Sequence, residues 1–227
     1  MKEIEAKTQV AELVFFGGPM DSGKSTLALQ MAHTQSAHGR KGRLFTSQDR
    51  AGQAHITSRI GLERDAIEVG LDFSFRRYVF TELEAGRRID FLICDEAQFY
   101  QPEQIDDLAR LVDELNIDVF CFGIMSDFRS LIFPGSKRLV ELSDRVEPLP
   151  VQPLCWCGRK GTHNARVING AMITEGEQVL VGDTGDGTDS APDEVHYEVL
   201  CRIHHRAHQP KGWMGATLSP LTLFEES

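Results

Sequence analysis

Gly18-Pro19-Met20-Asp21-Ser22-Gly23-Lys24-Ser25 is the stretch on which the reading of the fold turns. Before it, Glu12 to Phe16 is a short apolar run closing at Gly17-Gly18, the pattern of a buried strand. After it, Ser25 to His38 holds helix formers without Pro or Gly, and Gly39 reads as the stop. The stretch fits Gly-x-x-x-x-Gly-Lys-Ser in the strand–loop–helix setting that this pattern needs. There the glycines let backbone N–H groups turn onto phosphate oxygens, Lys24 reaches the β- and γ-phosphates, and the Ser25 hydroxyl is a magnesium ligand. The positive end of the following helix faces the same anions. Gly18, Pro19, Met20, Asp21, Ser22, Gly23, Lys24, Ser25 and Thr26 are therefore the candidates for holding ATP. The plainer alternative is a chance glycine-rich turn before a helix.

Outward from this loop, short apolar runs alternate with helical stretches. Arg43–Thr46, Ile89–Cys94 and Val119–Ile124 read as buried strands. Pro102 to Leu115 reads as a helix, with Ile105, Leu108, Leu111, Val112 and Leu115 on one face and Pro102 in the first turn. Such alternation predicts an α/β fold with a mostly parallel sheet and helices on both faces. Strand Ile89–Cys94 ends in Asp95-Glu96-Ala97-Gln98-Phe99. A strand-end carboxylate is where nucleotide-using enzymes hold Mg²⁺, a role that falls to Asp95, with Gln98 beside it. Glu96 is then free to act as a base. Alone, the pair would read as carboxylates capping the next helix.

The texture changes after Glu147. Pro148, Pro150 and Pro153 mark a boundary. Beyond it the segments are short and turn-rich: β-like Arg166–Ile173 and Gln178–Val181, then a loop from Gly182 to Asp193. The expected division is residues 1–147, residues 148–208, and a tail over residues 209–227. The chain has 227 residues, 41% apolar and 26% charged, with a net charge of −10. That charge speaks against broad nucleic-acid binding but not against a small anionic ligand. No apolar run approaches a membrane span, and the charged stretch Met1–Ala11 lacks the apolar core of a signal peptide. The expectation is a cytoplasmic protein. Of five cysteines, Cys94 and Cys121 sit in apolar runs as small hydrophobes. Cys155, Cys157 and Cys201 lie in the polar C-terminal third beside His204. An odd count in such a chain argues for a metal site over a disulfide framework.

Taken in order and spacing, these pieces resemble the cytosolic, zinc-containing class of thymidine kinases. The resemblance runs from about Glu12 to His205. It rests on Gly18-Pro19-Met20-x-Ser22-Gly23-Lys24, Asp49-Arg50, Asp95-Glu96-Ala97-Gln98-Phe99, Gly123 with Asp127-Phe128-Arg129, and Phe133-Pro134. The cysteine cluster, Gly182 and Tyr197-Glu198-Val199-Leu200-Cys201-Arg202 complete it. The resemblance implies ATP and Mg²⁺, thymidine as acceptor, a RecA-like domain, a small zinc-binding lasso domain, and a homotetramer, and the charge and composition lead to the expectation of no nucleic-acid or membrane partner. It implies Glu96 as catalytic base and Asp49 and Arg50 near phosphates and sugar. Phe99, Ile124, Phe128 and Phe133 would line the thymine pocket, with Asn164, Gly182 and Tyr197 closing over the nucleoside. Without the resemblance, Phe128 and Phe133 read as core. Arg129 reads either as a cation for the phosphoryl group or as a solvated side chain.

Three features depart from the family pattern. Asp21 stands where an apolar or aromatic residue is common, and beside a triphosphate it must point outward. The acidic, Gly-rich segment Gly182–Tyr197 is long, and its composition suggests ordering only on ligand binding. The family's Cys-x-x-Cys is here Cys155-Trp156-Cys157. The expected zinc ligands are Cys155, Cys157, Cys201 and His204, with His205 or His163 able to replace one. Rival readings remain a kinase of another deoxynucleoside, a nucleic-acid-stimulated ATPase, and a nucleotide sensor that transfers no phosphate.

Overall fold

The computed structural model describes residues 10–47, 54–178 and 195–212. In chain order the elements are β1 (Leu13–Gly18), α1 (Lys24–Ala37), β2 (Gly42–Thr46), β3 (His55–Thr57), β4 (Glu63–Asp65), β5 (Ile67–Glu68), α2 (Phe75–Glu84), β6 (Phe91–Cys94), a 3₁₀ turn (Ala97–Phe99), α3 (Pro102–Leu115), β7 (Asp118–Ile124), α4 (Pro134–Leu142), β8 (Arg145–Pro148), β9 (His163–Ile168), β10 (Ala171–Ile173), β11 (Val195–Leu200) and α5 (Arg202–Arg206). The described residues form two compact units, Met1–Ser126 with Ile132–Gln152, and Asp127–Leu131 with Pro153–Ser227.

The first unit is built on a six-stranded sheet in the order β5-β2-β6-β7-β1-β8, parallel throughout. Alternation along each strand divides the side chains between two layers. Leu13, Phe15, Leu92, Cys94, Val119 and Cys121 face α2, α3 and α4, where they meet Phe75, Val79, Ile105, Leu108, Leu111 and Leu139. Phe91, Ile93 and Phe122 face α1 through Ala28, Leu29 and Ala32. Helices on both faces of a parallel sheet follow from strands that are apolar on both sides. Because all strands run one way, the loops after β1, β6 and β7 leave from the same edge. Gly18 is paired with Ile124, and Cys94 with Cys121. Ligands in such sheets bind at the carboxyl ends of the strands.

Helix α3 begins and ends as the sequence predicts. The Gln104 side chain accepts from the Gln101 N–H at 2.9 Å, and Asn116 takes the left-handed cap at φ 53°. Other elements carry weaker sequence signals. The β3–β4 hairpin is packed on α1 through Ile56. Among the described residues strand β8 pairs only with β1, and it ends at Pro148, a proline position that an edge strand tolerates.

The second unit holds a three-stranded antiparallel sheet, β10-β9-β11. Arg166–Ile173 is not one strand. It turns at Asn169-Gly170, with φ 50° and 79°, between β9 and β10. Asn-Gly in the left-handed region is the signature of a two-residue hairpin, so the signal stood in the sequence. Of the expected strand Gln178–Val181, only Gln178 falls among the described residues.

Candidate active site

The phosphate loop leaves β1 at Gly18 and enters α1 at Lys24. Gly23 makes the turn at φ 77°, and α1 has no side-chain cap, so its first-turn N–H groups are available to an anion. Ser22 donates to the Pro19 carbonyl at 2.7 Å. The Lys24 ammonium folds back to the same carbonyl at 3.0 Å. Burial pushes the Lys24 pKa down, and the carboxylates of Glu96, Asp95 and Asp21 work against that shift. A buried ammonium facing carboxylates is poised to donate to anionic oxygens. Asp21 is exposed and forms an ion pair with Arg59 at 2.6 Å. Pro19, Met20 and Thr26 are half-buried around the loop.

The acidic pair stands at the end of β6. Asp95 is 2% exposed. Burial, then the adjacent Glu96 charge, raise its pKa to about 7, opposed by the nearby Ser25 hydroxyl and by the Glu96 N–H, which donates to Asp95 Oδ1 at 3.0 Å. The phosphate loop and the strand-end acid thus meet through Ser25 and Asp95, two hard oxygen donors of the kind that Mg²⁺ takes. Glu96 is a non-glycine residue in the left-handed region, at φ 52°. Its carboxylate accepts a hydrogen bond from the Gln98 amide, whose oxygen accepts from the Ile124 N–H at 3.1 Å. Gln98 therefore ties Glu96 to the end of β7. Phe99 and Phe133 meet edge to face, 5.6 Å between ring centroids. Gly135 lets α4 approach the 3₁₀ turn. A Cβ there would lie 2.6 to 2.9 Å from the carbonyl oxygens of Ala97, Tyr100 and Gln98.

In the second unit, the ligand atoms of Cys155, Cys157, Cys201 and His204 all lie within 4.8 Å of one another. Cys155 Sγ is 3.3 Å from His204 Nδ1, Cys201 Sγ is 3.6 Å from it, and the Cys157 and Cys201 sulfurs are 4.0 Å apart. Tetrahedral Zn²⁺ with bonds of about 2.0–2.3 Å needs ligand atoms about 3.5–3.8 Å apart, so the group could hold a metal ion. The shortened cysteine pair converges because Gly158, at φ 81°, lets its N–H reach the Cys155 carbonyl at 2.8 Å while the Cys155 N–H reaches Arg159 O at 2.8 Å. Trp156 stacks on His204, with centroids 4.0 Å apart. The group includes neither His163 nor His205. The His205 Nε2 lies 2.9 Å from the Phe128 carbonyl.

Phe128 is buried in this unit under the Arg166 guanidinium, 3.9 Å from the ring centroid. Arg166 is buried too, and donates to the Tyr197 hydroxyl at 3.0 Å and to the carbonyls of Glu177 and Gln178 at 3.0 and 3.2 Å. It joins Phe128 to Tyr197. The sequence gives no sign of its burial, because a lone Arg in a short β-like stretch reads as a solvated edge. Arg129 is held by Asp127 at 2.7 Å. Asn164 is buried on β9 opposite Val199. Asp49, Arg50 and Gly182 lie outside the described residues.

A parallel sheet whose first strand passes through a glycine-rich loop into a helix, with a buried acid from a nearby strand close to the loop's serine and lysine, defines an α/β protein of the phosphate-binding-loop class. The family model described as thymidine kinase matches residues 11–205. The chain belongs to the thymidine kinase family. It is 59% identical to a thymidine kinase of Cutibacterium acnes over 94% of this chain and 97% of that one. With a thymidine kinase of Streptomyces coelicolor the identity is 55%, over 92% and 95%. With one from Lactobacillus johnsonii it is 39%, over 86% and 96%. Among the described residues, no helix is long and apolar enough to cross a membrane.

Proposed function

We propose that this chain transfers the γ-phosphoryl group of ATP to the 5′-hydroxyl of thymidine, giving thymidine monophosphate. Beyond family membership, the observation that carries the reading is buried Asp95 at the end of β6, close to Ser25 and Lys24 of the phosphate loop, with Glu96 adjacent. That arrangement sets a metal-binding pair beside a base. The loop N–H groups of Gly18–Thr26 and the Lys24 ammonium hold the triphosphate. Ser25 and Asp95 would hold Mg²⁺, which supplies charge neutralisation when bound. Glu96 takes the proton of the attacking hydroxyl, and Gln98 keeps its carboxylate directed. By family resemblance, Phe99, Ile124 and Phe133 of the first unit and Phe128 of the second are the candidates for the thymine base, which needs apolar walls, and Asn164 and Tyr197 of the second unit are candidates for the nucleoside. Asp49, Arg50 and Gly182 enter by family resemblance alone.

The proposal extends to a structural Zn²⁺ on Cys155, Cys157, Cys201 and His204. It includes an ATP-binding part over residues 1–147, a lasso part over residues 148–208 and a tail over residues 209–227. It also includes a cytoplasmic homotetramer that works on free nucleoside rather than nucleic acid, in keeping with the net charge of −10. The test is a nucleoside panel with ATP and Mg²⁺, read as monophosphate formed. Thymidine should give the most product. Preference for another deoxynucleoside would reassign the acceptor. ATP hydrolysis driven by DNA or RNA without nucleoside would point to an ATPase, and ATP binding without any product to a sensor.

A further inference from the structure

The phosphate loop contains a carboxylate, Asp21, at φ 61° in the left-handed region. An acid at this place repels a triphosphate unless something neutralises it. Arg59 does so, its Nη2 lying 2.6 Å from Asp21 Oδ1. Arg59 comes from the connection of the β3–β4 hairpin. That connection is a defined turn: the Ser58 N–H reaches the Leu62 carbonyl at 2.8 Å, the Gly61 N–H reaches Ser58 O at 3.0 Å, and the Ser58 hydroxyl accepts from the Leu62 N–H at 2.9 Å. The hairpin in turn rests on α1, the helix of the phosphate loop, through buried Ile56. Arg59 is thus delivered to the mouth of the loop by packed structure. Its charge is felt at Lys24, where it disfavours the ammonium.

We infer that Arg59 is a phosphate-binding residue for the triphosphate of the nucleotide, held ready by Asp21 and shared with the nucleotide on binding. The inference rests on the proposed use of the loop for ATP. With side-chain exposures of 79% and 40%, the ion pair is well solvated and contributes little by itself. A guanidinium has five donors in a fixed fork, so it can keep one bond to Asp21 and turn others to phosphate oxygens. Asp21 then has two opposed effects on the ligand: it aims Arg59, and it repels the phosphates.

Binding of the magnesium complex of a non-hydrolysable ATP analogue, measured by calorimetry, separates these effects. Arg59→Gln should raise the Kd of the analogue by roughly tenfold or more, the range of a charge-assisted hydrogen bond. Asp21→Asn should lower that Kd, by about threefold, because the repulsion goes and Arg59 stays. Thymidine Kd should be unchanged in both. If the two variants weaken the analogue alike, the pair only braces the loop and the inference falls. It falls equally if Arg59→Gln stays within about twofold of wild type while Lys24→Ala loses binding. If the wild-type chain binds no analogue at all, the ATP assignment falls and takes the inference with it.

Discussion

Glu96 occupies a left-handed conformation that costs a residue with a Cβ roughly 1–3 kcal/mol. Strain of this size persists where the surroundings hold the residue in place, and here the 3₁₀ turn comes at once and Gln98 grips the carboxylate. The dipeptide Asp95-Glu96 was legible as an acidic pair at a strand end. Its geometry was not, because backbone dihedrals and the reach of Gln98 to Ile124 depend on how β6 and β7 lie together. Glu96→Gln keeps the shape and removes the proton acceptor. In a steady-state assay kcat should fall by roughly two to four orders of magnitude, with thymidine Kd little changed. A variant with near-normal kcat would remove Glu96 from the role of base.

At the level of elements, legibility tracked the strength of the periodic signal. Helix α3 was readable to its ends because a regular apolar face and an N-terminal proline agree, and the structure closes it with a left-handed Asn116 cap. The β9–β10 hairpin was obscured by apolar residues on both sides of Asn169-Gly170, although the turn itself is a standard signal. Helix α4 shows what pattern cannot carry. Its first turn sits directly over the carbonyls of the 3₁₀ turn, an approach that only Gly135 permits. Gly135→Ala should force the two apart, with a cost on the order of 1–3 kcal/mol. Because that turn carries Gln98 and Phe99, kcat should drop along with the melting temperature while metal content stays constant. Unchanged kcat in a destabilised variant would show that the turn does not set the catalytic geometry.

For the whole molecule, the described residues of the second unit hold a small apolar cluster of Cys155, Ala165, Leu200 and Cys201, with Phe128, Val167 and Val199 also buried. A core of this size cannot by itself offset the entropy of ordering the chain, and a structural metal supplies the difference in many small units. Purified protein should contain about one zinc per chain. After chelation, hydrogen exchange should accelerate across β9, β10 and β11, while the first unit still binds the ATP analogue. Equal exchange with and without chelator, or three freely titratable thiols in the native protein, would refute the zinc site and leave the kinase assignment in place.

By itself the sequence determined the class of fold, the phosphate loop, the acidic pair and the cysteine–histidine set. The loop and the acidic pair are local spacings whose chemistry needs only neighbours along the chain, and so is each half of the cysteine–histidine set, whereas only the fold brings Cys155 and Cys157 to Cys201 and His204. Tertiary structure alone decided that Ser25 meets Asp95, that Gln98 joins Glu96 to Ile124, that Arg59 covers Asp21, and that Arg166 is buried against Phe128. It also decided that the excursion Asp127–Leu131 clusters with the C-terminal unit, though its residues lie between β7 and α4. The physical reason is common to all of them. Each joins side chains far apart in sequence, and burial and strand register, which no local pattern encodes, choose the partners.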